Sequence, residues 1–349
     1  MPDRFALVLA GGRGTRFWPW SRPERPKQLL PLAKGGRTLL AATLDRALQV
    51  VSADHVLVLT ARDLVDAVRR ECPAGVEVVG EPVGRNTAPA IGAAAMWCLA
   101  RAKDAAFAVL PADHAIDDTA AFAADLEHSF ARAERDPVLV TFGIRPTHAE
   151  TNFGYIRRGA RLAERTYRVA EFTEKPDHAR AAAWLAGGEH LWNSGIFVWR
   201  SVVFLDALAA SRPALARPLR ALAWPPGGFE RALDPVFAGL ESVSVDYAVL
   251  EKAPNTVVLE AAFDWDDLGS WGAWARRQPR DAQGNVRFGD ALALDCQDCV
   301  VVGDGGTAAA VGLKNMVVVH AGGATLSCRL EDSDRVRGVS EALRERGKA

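Results

Sequence analysis

Strand-length apolar runs alternate with helix-forming runs over the first two-thirds of this 349-residue chain, and that alternation constrains its fold most. Phe5–Leu9, His55–Leu59, Val76–Gly80, Ala106–Leu110 and Pro137–Phe142 read as compact strands. Helical stretches fall between them, near Leu39–Val50, Leu64–Glu71, Ala88–Ala102 and Ala120–Glu134. Strands joined by helix-sized crossovers build a mainly parallel sheet with helices on both faces. The expectation is an α/β, Rossmann-like domain over 1–280. Past Gly284 short Val- and Ala-rich runs are broken by Gly, Asp and Asn, and a charged helix follows from Asp332 to Glu345. That reads as a small β-rich domain with a terminal helix over 281–349. It shows no strict repeat, which leaves a regular β-helix open.

Bulk properties remove several function classes. With 42 basic and 43 acidic side chains the formal charge is −1, so no global field holds a polyanion and no nucleic-acid partner is expected. The ten tryptophans read as packing residues rather than a base-stacking platform. Met1 to Ala10 is a short apolar run without a basic leader, which suits a first buried strand better than a signal peptide. No apolar stretch reaches membrane-spanning length, so no membrane partner is expected. Five scattered cysteines are no disulfide framework and suit a reducing, cytoplasmic setting. Cys296 and Cys299 form a C-x-x-C without a second pair, and ordinary thiols are expected there rather than a zinc site.

The strongest local signal is Leu9-Ala10-Gly11-Gly12-Arg13-Gly14-Thr15-Arg16, directly after the first strand. Closely spaced glycines let backbone N–H groups approach phosphate oxygens. Two cations, Arg16 and Lys27, lie just beyond and suit a triphosphate whose leaving portion must be neutralised. A Rossmann dinucleotide fingerprint would need a third glycine opening a helix, and a P-loop would need a terminal Gly-Lys-Ser/Thr; neither is present. Asp113 follows the strand Ala106–Leu110, at the carboxyl end of the sheet, where ligands bind in open α/β folds. Its plain alternative is a helix N-cap. Asp266 and Asp267 lie in a turn-rich segment, where solvated loop charge is the plain alternative. A carboxylate pair drawn from distant sequence suits Mg²⁺, which takes few protein oxygens.

Gly11-Gly12-x-Gly-Thr-Arg with a downstream Pro26-Lys27 resembles the signature of the sugar-phosphate nucleotidyltransferases. Glu81-Pro82-Val83-Gly84-Arg85-Asn86-Thr87-Ala88-Pro89-Ala90 resembles the guanine-binding segment of the mannose-1-phosphate guanylyltransferases. Leu110-Pro111-Ala112-Asp113-His114, Phe172-Thr173-Glu174-Lys175-Pro176, Trp192-Asn193-Ser194-Gly195-Ile196-Phe197 and Phe263 to Trp271 look like further family blocks, in the family's order. The resemblance covers essentially the whole chain.

It implies that GTP and α-D-mannose 1-phosphate give GDP-mannose and diphosphate, by in-line attack on the α-phosphorus. The nucleotide would be held by Leu9, Ala10, Gly11, Gly12, Gly14, Thr15, Glu81, Arg85, Asn86, Thr87, Ala88, Pro89 and Asp113. Gly154, Glu174, Lys175 and Asn193 would hold the sugar phosphate. Arg16, Lys27 and Lys175 would act as catalytic cations, and Asp113 with Asp267 would hold Mg²⁺, the position before Leu-Gly-Ser-Trp selecting Asp267 over Asp266. Little proton transfer is needed, so His114 is read as a supporting residue. Other expectations weighed are a different base or sugar, a silent regulatory homologue, and an NAD-dependent dehydrogenase. A homodimer is implied by resemblance only. Longer family members add a phosphomannose isomerase domain of the cupin type; the sequence ends at Ala349, before one would fit, which points to transferase activity alone.

Overall fold

A computed structural model describes residues 3–346 apart from Arg13 and Pro226; Arg13 of the glycine-rich turn therefore lies outside the described residues. The chain forms two compact units. The first holds the segment ending at Gly11 with Thr43–Ala112 and Ile116–Trp265. The second holds Gly12–Ala42, Asp113–Ala115 and the chain from Asp266 onward.

The first unit is built on nine strands: β1 (Asp3–Leu9), β2 (Val56–Ala61), β3 (Glu77–Glu81), β4 (Ala105–Pro111), β5 (Leu139–Ile144), β6 (Gly154–Ala163), β7 (Thr166–Glu174), β8 (His190–Arg200) and β9 (Thr256–Glu260). They form one sheet in the order β3-β2-β1-β4-β8-β5-β9-β7-β6. The α/β class expected from the alternation holds. The sheet is mixed: β3, β2, β1 and β4 run parallel, whereas β8 is antiparallel to β4, β5 and β6. The parallel part is where helices intervene. The antiparallel part begins where β6 and β7 pair across a short turn instead of a crossover.

Burial explains why the alternation was readable. Residues Ala6–Val8 of β1, Val56–Leu59 of β2 and Ala106–Val109 of β4 are almost wholly buried, as strands covered on both faces must be. The alanine-rich helix Thr87–Leu99 is buried along nearly all its length, and its small side chains permit close packing in the core with Trp97 and Trp199.

The second unit carries a smaller sheet, β10 (Val286–Leu294), β11 (Val300–Val311), β12 (Met316–Ala321) and β13 (Ala324–Arg329). β10, β11 and β12 stack in parallel, with Val286, Val300 and Val317 in register, and β13 returns antiparallel. The corners repeat although the coil lengths do not. Asp295 and Asp298 on one coil, and Gly312 and Asn315 on the next, all take left-handed backbone. Cys296 and Cys299 are buried at the first of these corners, where their thiols face the carbonyls of Leu294 and Gln297. Beneath the coils Trp20, Trp271, Trp274 and Phe288 form an aromatic cluster, Trp20 stacking on Trp271 at 5.8 Å. Among the described residues, no helix is long and apolar enough to cross a membrane.

Candidate active site

In the second unit, a cavity of about 410 Å³ is lined by Gly14, Thr15, Arg16, Lys27, Asp113, His114, Asp267 and their neighbours. Gly14 turns through φ 56°, and a β-carbon there would lie 2.3 Å from the Lys27 β-carbon and 2.5 Å from its backbone N. Glycine is thus required for a reason the motif alone did not supply: the lysine segment crosses directly over the turn. Gln28 fixes the crossing by donating from Nε2 to Gly12 O at 2.9 Å.

Lys27 is buried, only 7% exposed. Its ammonium donates to Asp113 Oδ2 at 2.9 Å and also to the Asp267 carbonyl. Burial works to raise the Asp113 carboxyl, but Lys27 and His114 hold it below the usual carboxylate range. Asp267 behaves differently. Burial, with repulsion from Asp266 and Asp113, outweighs Lys27 and Arg16 and pushes it up to about 6.

Both neighbouring aspartates cap the turn, Asp267 Oδ1 accepting from Gly269 N at 3.0 Å, but only Asp267 also lines the cavity. Asp266 Oδ1 accepts from Leu268 N at 2.7 Å, and Leu268 is left-handed. Among the described residues no group of three or more His, Cys, Asp or Glu forms a metal-holding cluster. Two carboxylates of this kind beside an open cavity nevertheless suit a hard divalent cation, which leaves most of its coordination to water and phosphate oxygens.

Two lining residues lay outside the sequence reading. Arg337 and Glu341 project from the helix Val336–Glu345, paired at 2.9 Å, and the same helix is tied to the glycine-rich turn by Ser340 Oγ donating to Thr15 O at 3.0 Å. A charged terminal helix reads as solvated surface in sequence, and no local signal marks it as a cavity wall.

The first unit holds the remaining candidates in two groups. At the end of β3, burial pushes the Glu81 carboxyl up to about 7, and its Oε1 is buried without a hydrogen-bond partner among the described residues. Asn86, at φ 66°, caps the helix Thr87–Leu99 by accepting from Thr87 N. Arg85 donates to the carbonyls of Phe237 and Ala238, Thr87 Oγ1 accepts from Val245 N, and Ala88 N donates to Val243 O. These two side chains and the Ala88 backbone thereby anchor the segment 237–245. Pro89 is buried inside the helix, and Leu9 ends β1, with Ala10 following it.

In the second group, Gly154 begins β6, where a β-carbon would fall 2.6 Å from Glu174 Oε2 and 3.3 Å from the Asn193 β-carbon. Lys175 has φ 47°, a left-handed turn geometry, and its ammonium lies 3.1 Å from Glu174 Oε1. Asn193 Oδ1 accepts from Thr141 Oγ1, and its Nδ2 donates to Asp246 Oδ1 at 2.9 Å. Asp246 was not foreseen. Burial, then repulsion from Glu174, pushes its carboxyl up to about 7 despite the Asn193 hydrogen bond and Lys175.

An α/β sheet, a cavity lined by three cations and three carboxylates, and a separate polar cluster suit an enzyme acting on charged, polar substrates. Comparison narrows that class. Residues 5–284 match the family described as nucleotidyl transferase, and residues 289–343 match the MannoseP isomerase/GMP-like beta-helix domain. The chain is 40% identical to the xanthan biosynthesis protein XanB of Xanthomonas campestris pv. campestris, over 98% of this chain and 73% of that protein. It is 37% identical to a mannose-1-phosphate guanylyltransferase of Escherichia coli, over 97% of this chain and 74% of that one. A solved structure described as mannose-1-phosphate geranyltransferase from Thermus thermophilus superposes with a TM-score of 0.88 at 36% identity, covering 98% of this chain and 99% of that one. The chain belongs to the nucleotidyl transferase family.

Proposed function

We propose that the protein is a mannose-1-phosphate guanylyltransferase, forming GDP-mannose and diphosphate from GTP and α-D-mannose 1-phosphate. One observation carries the reading: Arg16, Lys27, Asp113 and Asp267, four charged residues from four parts of the sequence, gather around a single cavity. The choice of guanine and mannose is supported by the Glu81–Ala90 segment and by the name of the Escherichia coli relative.

The attacking phosphate oxygen is ionised near neutral pH, so the reaction needs positioning and charge neutralisation more than a general base. Arg16 and Lys27 neutralise the triphosphate, and Arg337 adds a third cation at the same cavity. Lys175 takes the sugar phosphate as a point charge. Glu174 and Asn193 bind sugar hydroxyls, with Gly154 admitting the ring close to the backbone, and Asp246 orients the Asn193 amide. Leu9, Ala10, Gly11, Gly12, Gly14 and Thr15 supply the turn that faces the nucleotide, while Glu81, Asn86 and Pro89 shape its base site. Arg85, Thr87 and Ala88 hold that site's loop in place. Asp113 and Asp267 would hold Mg²⁺, which would supply charge neutralisation for the phosphates.

The division at residue 280, a homodimer and a cytoplasmic location belong to the same proposal; the location is supported by five free cysteines. The test is pyrophosphate release with Mg²⁺, pairing GTP, ATP, UTP and dTTP with mannose 1-phosphate or glucose 1-phosphate. Fast turnover with GTP and mannose 1-phosphate alone supports the assignment. Turnover with another pair refutes the guanine and mannose choices, and GDP-mannose binding without turnover makes the protein a regulatory homologue.

A further inference from the structure

The second unit contains another and larger cavity, of about 750 Å³, whose lining includes Ser270, Arg276, Arg280, Lys314, Arg329 and Leu330. Its four cations arrive from separate elements. Arg276 ends the helix Trp271–Arg276 and Arg280 follows it; Lys314 lies in the turn between β11 and β12, and Arg329 ends β13. Two carboxylates on the lining, Glu331 and Asp334, leave the cations in excess.

Those cations are loosely paired. Arg276 is 4.0 Å from Asp266, Arg280 is 3.7 Å from Asp298, and Arg329 is 3.4 Å from Glu331. Lys314 has no ion-pair partner among the described residues. By contrast, Arg25 of the same unit meets Asp304 at 2.6 Å, a closed charge-assisted bond. Cations spread around a concavity and left short of close counter-charges favour an anion with several separated charges.

We infer that this cavity is a second anion-binding site, taking a compound with two or more linked phosphate groups. It shares no lining residue with the candidate active-site cavity, but two stretches of chain run from one lining to the other. Asp267, Leu268 and Gly269 line the first cavity, and Ser270, the next residue, lines the second with Gly272. Likewise Leu330, Glu331, Ser333 and Asp334 border the second, and the helix they lead into presents Arg337 and Glu341 to the first. The inference of binding does not rest on the proposed reaction; only the activity control below does.

Inorganic tripolyphosphate is the probe, titrated calorimetrically into the full chain. The wild type is expected to show two binding events. Lys314→Glu with Arg329→Glu should weaken one of them about tenfold or more while leaving transferase turnover within about twofold. Arg16→Ala should weaken the other event and spare this one. Retained turnover in the double variant shows that it is folded; circular dichroism serves that purpose if the protein has no transferase activity. A single event that Arg16→Ala weakens and the double reversal leaves intact would overturn the inference, as would no binding at all. Loss of turnover in the wild type would sink the proposed function without touching this result.

Discussion

The charged cavity of the second unit and the polar cluster of the first both rely on aspartate, but only the cavity sets one of its aspartates against a close cation, while Asp267 beside it is pushed up to about 6. Asp113 sits against the Lys27 ammonium and is held below the usual carboxylate range, against the effect of burial. Asp246, buried and facing Glu174, is pushed up to about 7. Glu81 of the first unit is raised by burial to a similar value. The Asp113–Lys27 pair and the Asp246 carboxyl suit different ligands. A polyphosphate demands fixed charge that is already compensated before it arrives. A sugar or a base is neutral at its edges, and a carboxyl poised near neutrality can donate as well as accept a hydrogen bond.

Removing charge from the first region should have the largest effect. Arg16→Ala is expected to lower kcat by about 10²-fold or more, as loss of a stabilising donor does elsewhere. Steady-state pyrophosphate release measures it, and a near-normal kcat would take Arg16 out of the mechanism. Asp267→Asn should come next, shifting the Mg²⁺ titration to higher concentration. An unchanged titration would place the second metal ligand elsewhere.

The second region should answer to pH rather than to metal. The Asp246 carboxyl rises from an ordinary value of 3.8 to about 7, so between these the folded protein binds a proton that the unfolded chain has released. Stability from this group therefore falls as pH rises across that window. Asp246→Asn removes the dependence, because an amide does not titrate, while its oxygen can still accept from Asn193. In urea denaturation the variant should gain on the wild type between pH 5 and pH 8. A gap that stays constant with pH would mean that Asp246 is ionised throughout, and the contrast between the two regions would fail.

How much of this was legible depended on whether a residue's role was local. The first sheet was readable because β1, β2 and β4 are buried on both faces and leave continuous apolar runs. The glycine-rich turn was readable too, yet the need for Gly14 comes from Lys27, thirteen residues on, which only the fold brings across it. The β character of β10 to β12 was legible too, but their stacking stayed open because the corners repeat in conformation, with Asp298 and Asn315 both left-handed, while coil length and residue type vary. Asp246 lies in a short π-helical turn without a motif, and its partner Asn193 is far away in sequence.

Arg337 is the smallest and most discriminating case, because it sits where the two kinds of legibility meet. Its helix is amphipathic and charged, and Arg337 pairs with Glu341 one turn away, which by itself describes an ordinary solvated face. Its place on the cavity beside Arg16 and Lys27 gives it a second candidate partner, the triphosphate. A partly exposed cation meeting phosphate in solvent contributes about 1 kcal/mol, so Arg337→Ala should raise KM for GTP roughly five-fold. If Arg337 holds ground state and transition state alike, kcat stays nearly constant. Glu341→Gln frees Arg337 from its counter-charge and should move KM the other way. A purely structural ion pair would give both variants the same direction of change, and that outcome would return the terminal helix to the surface.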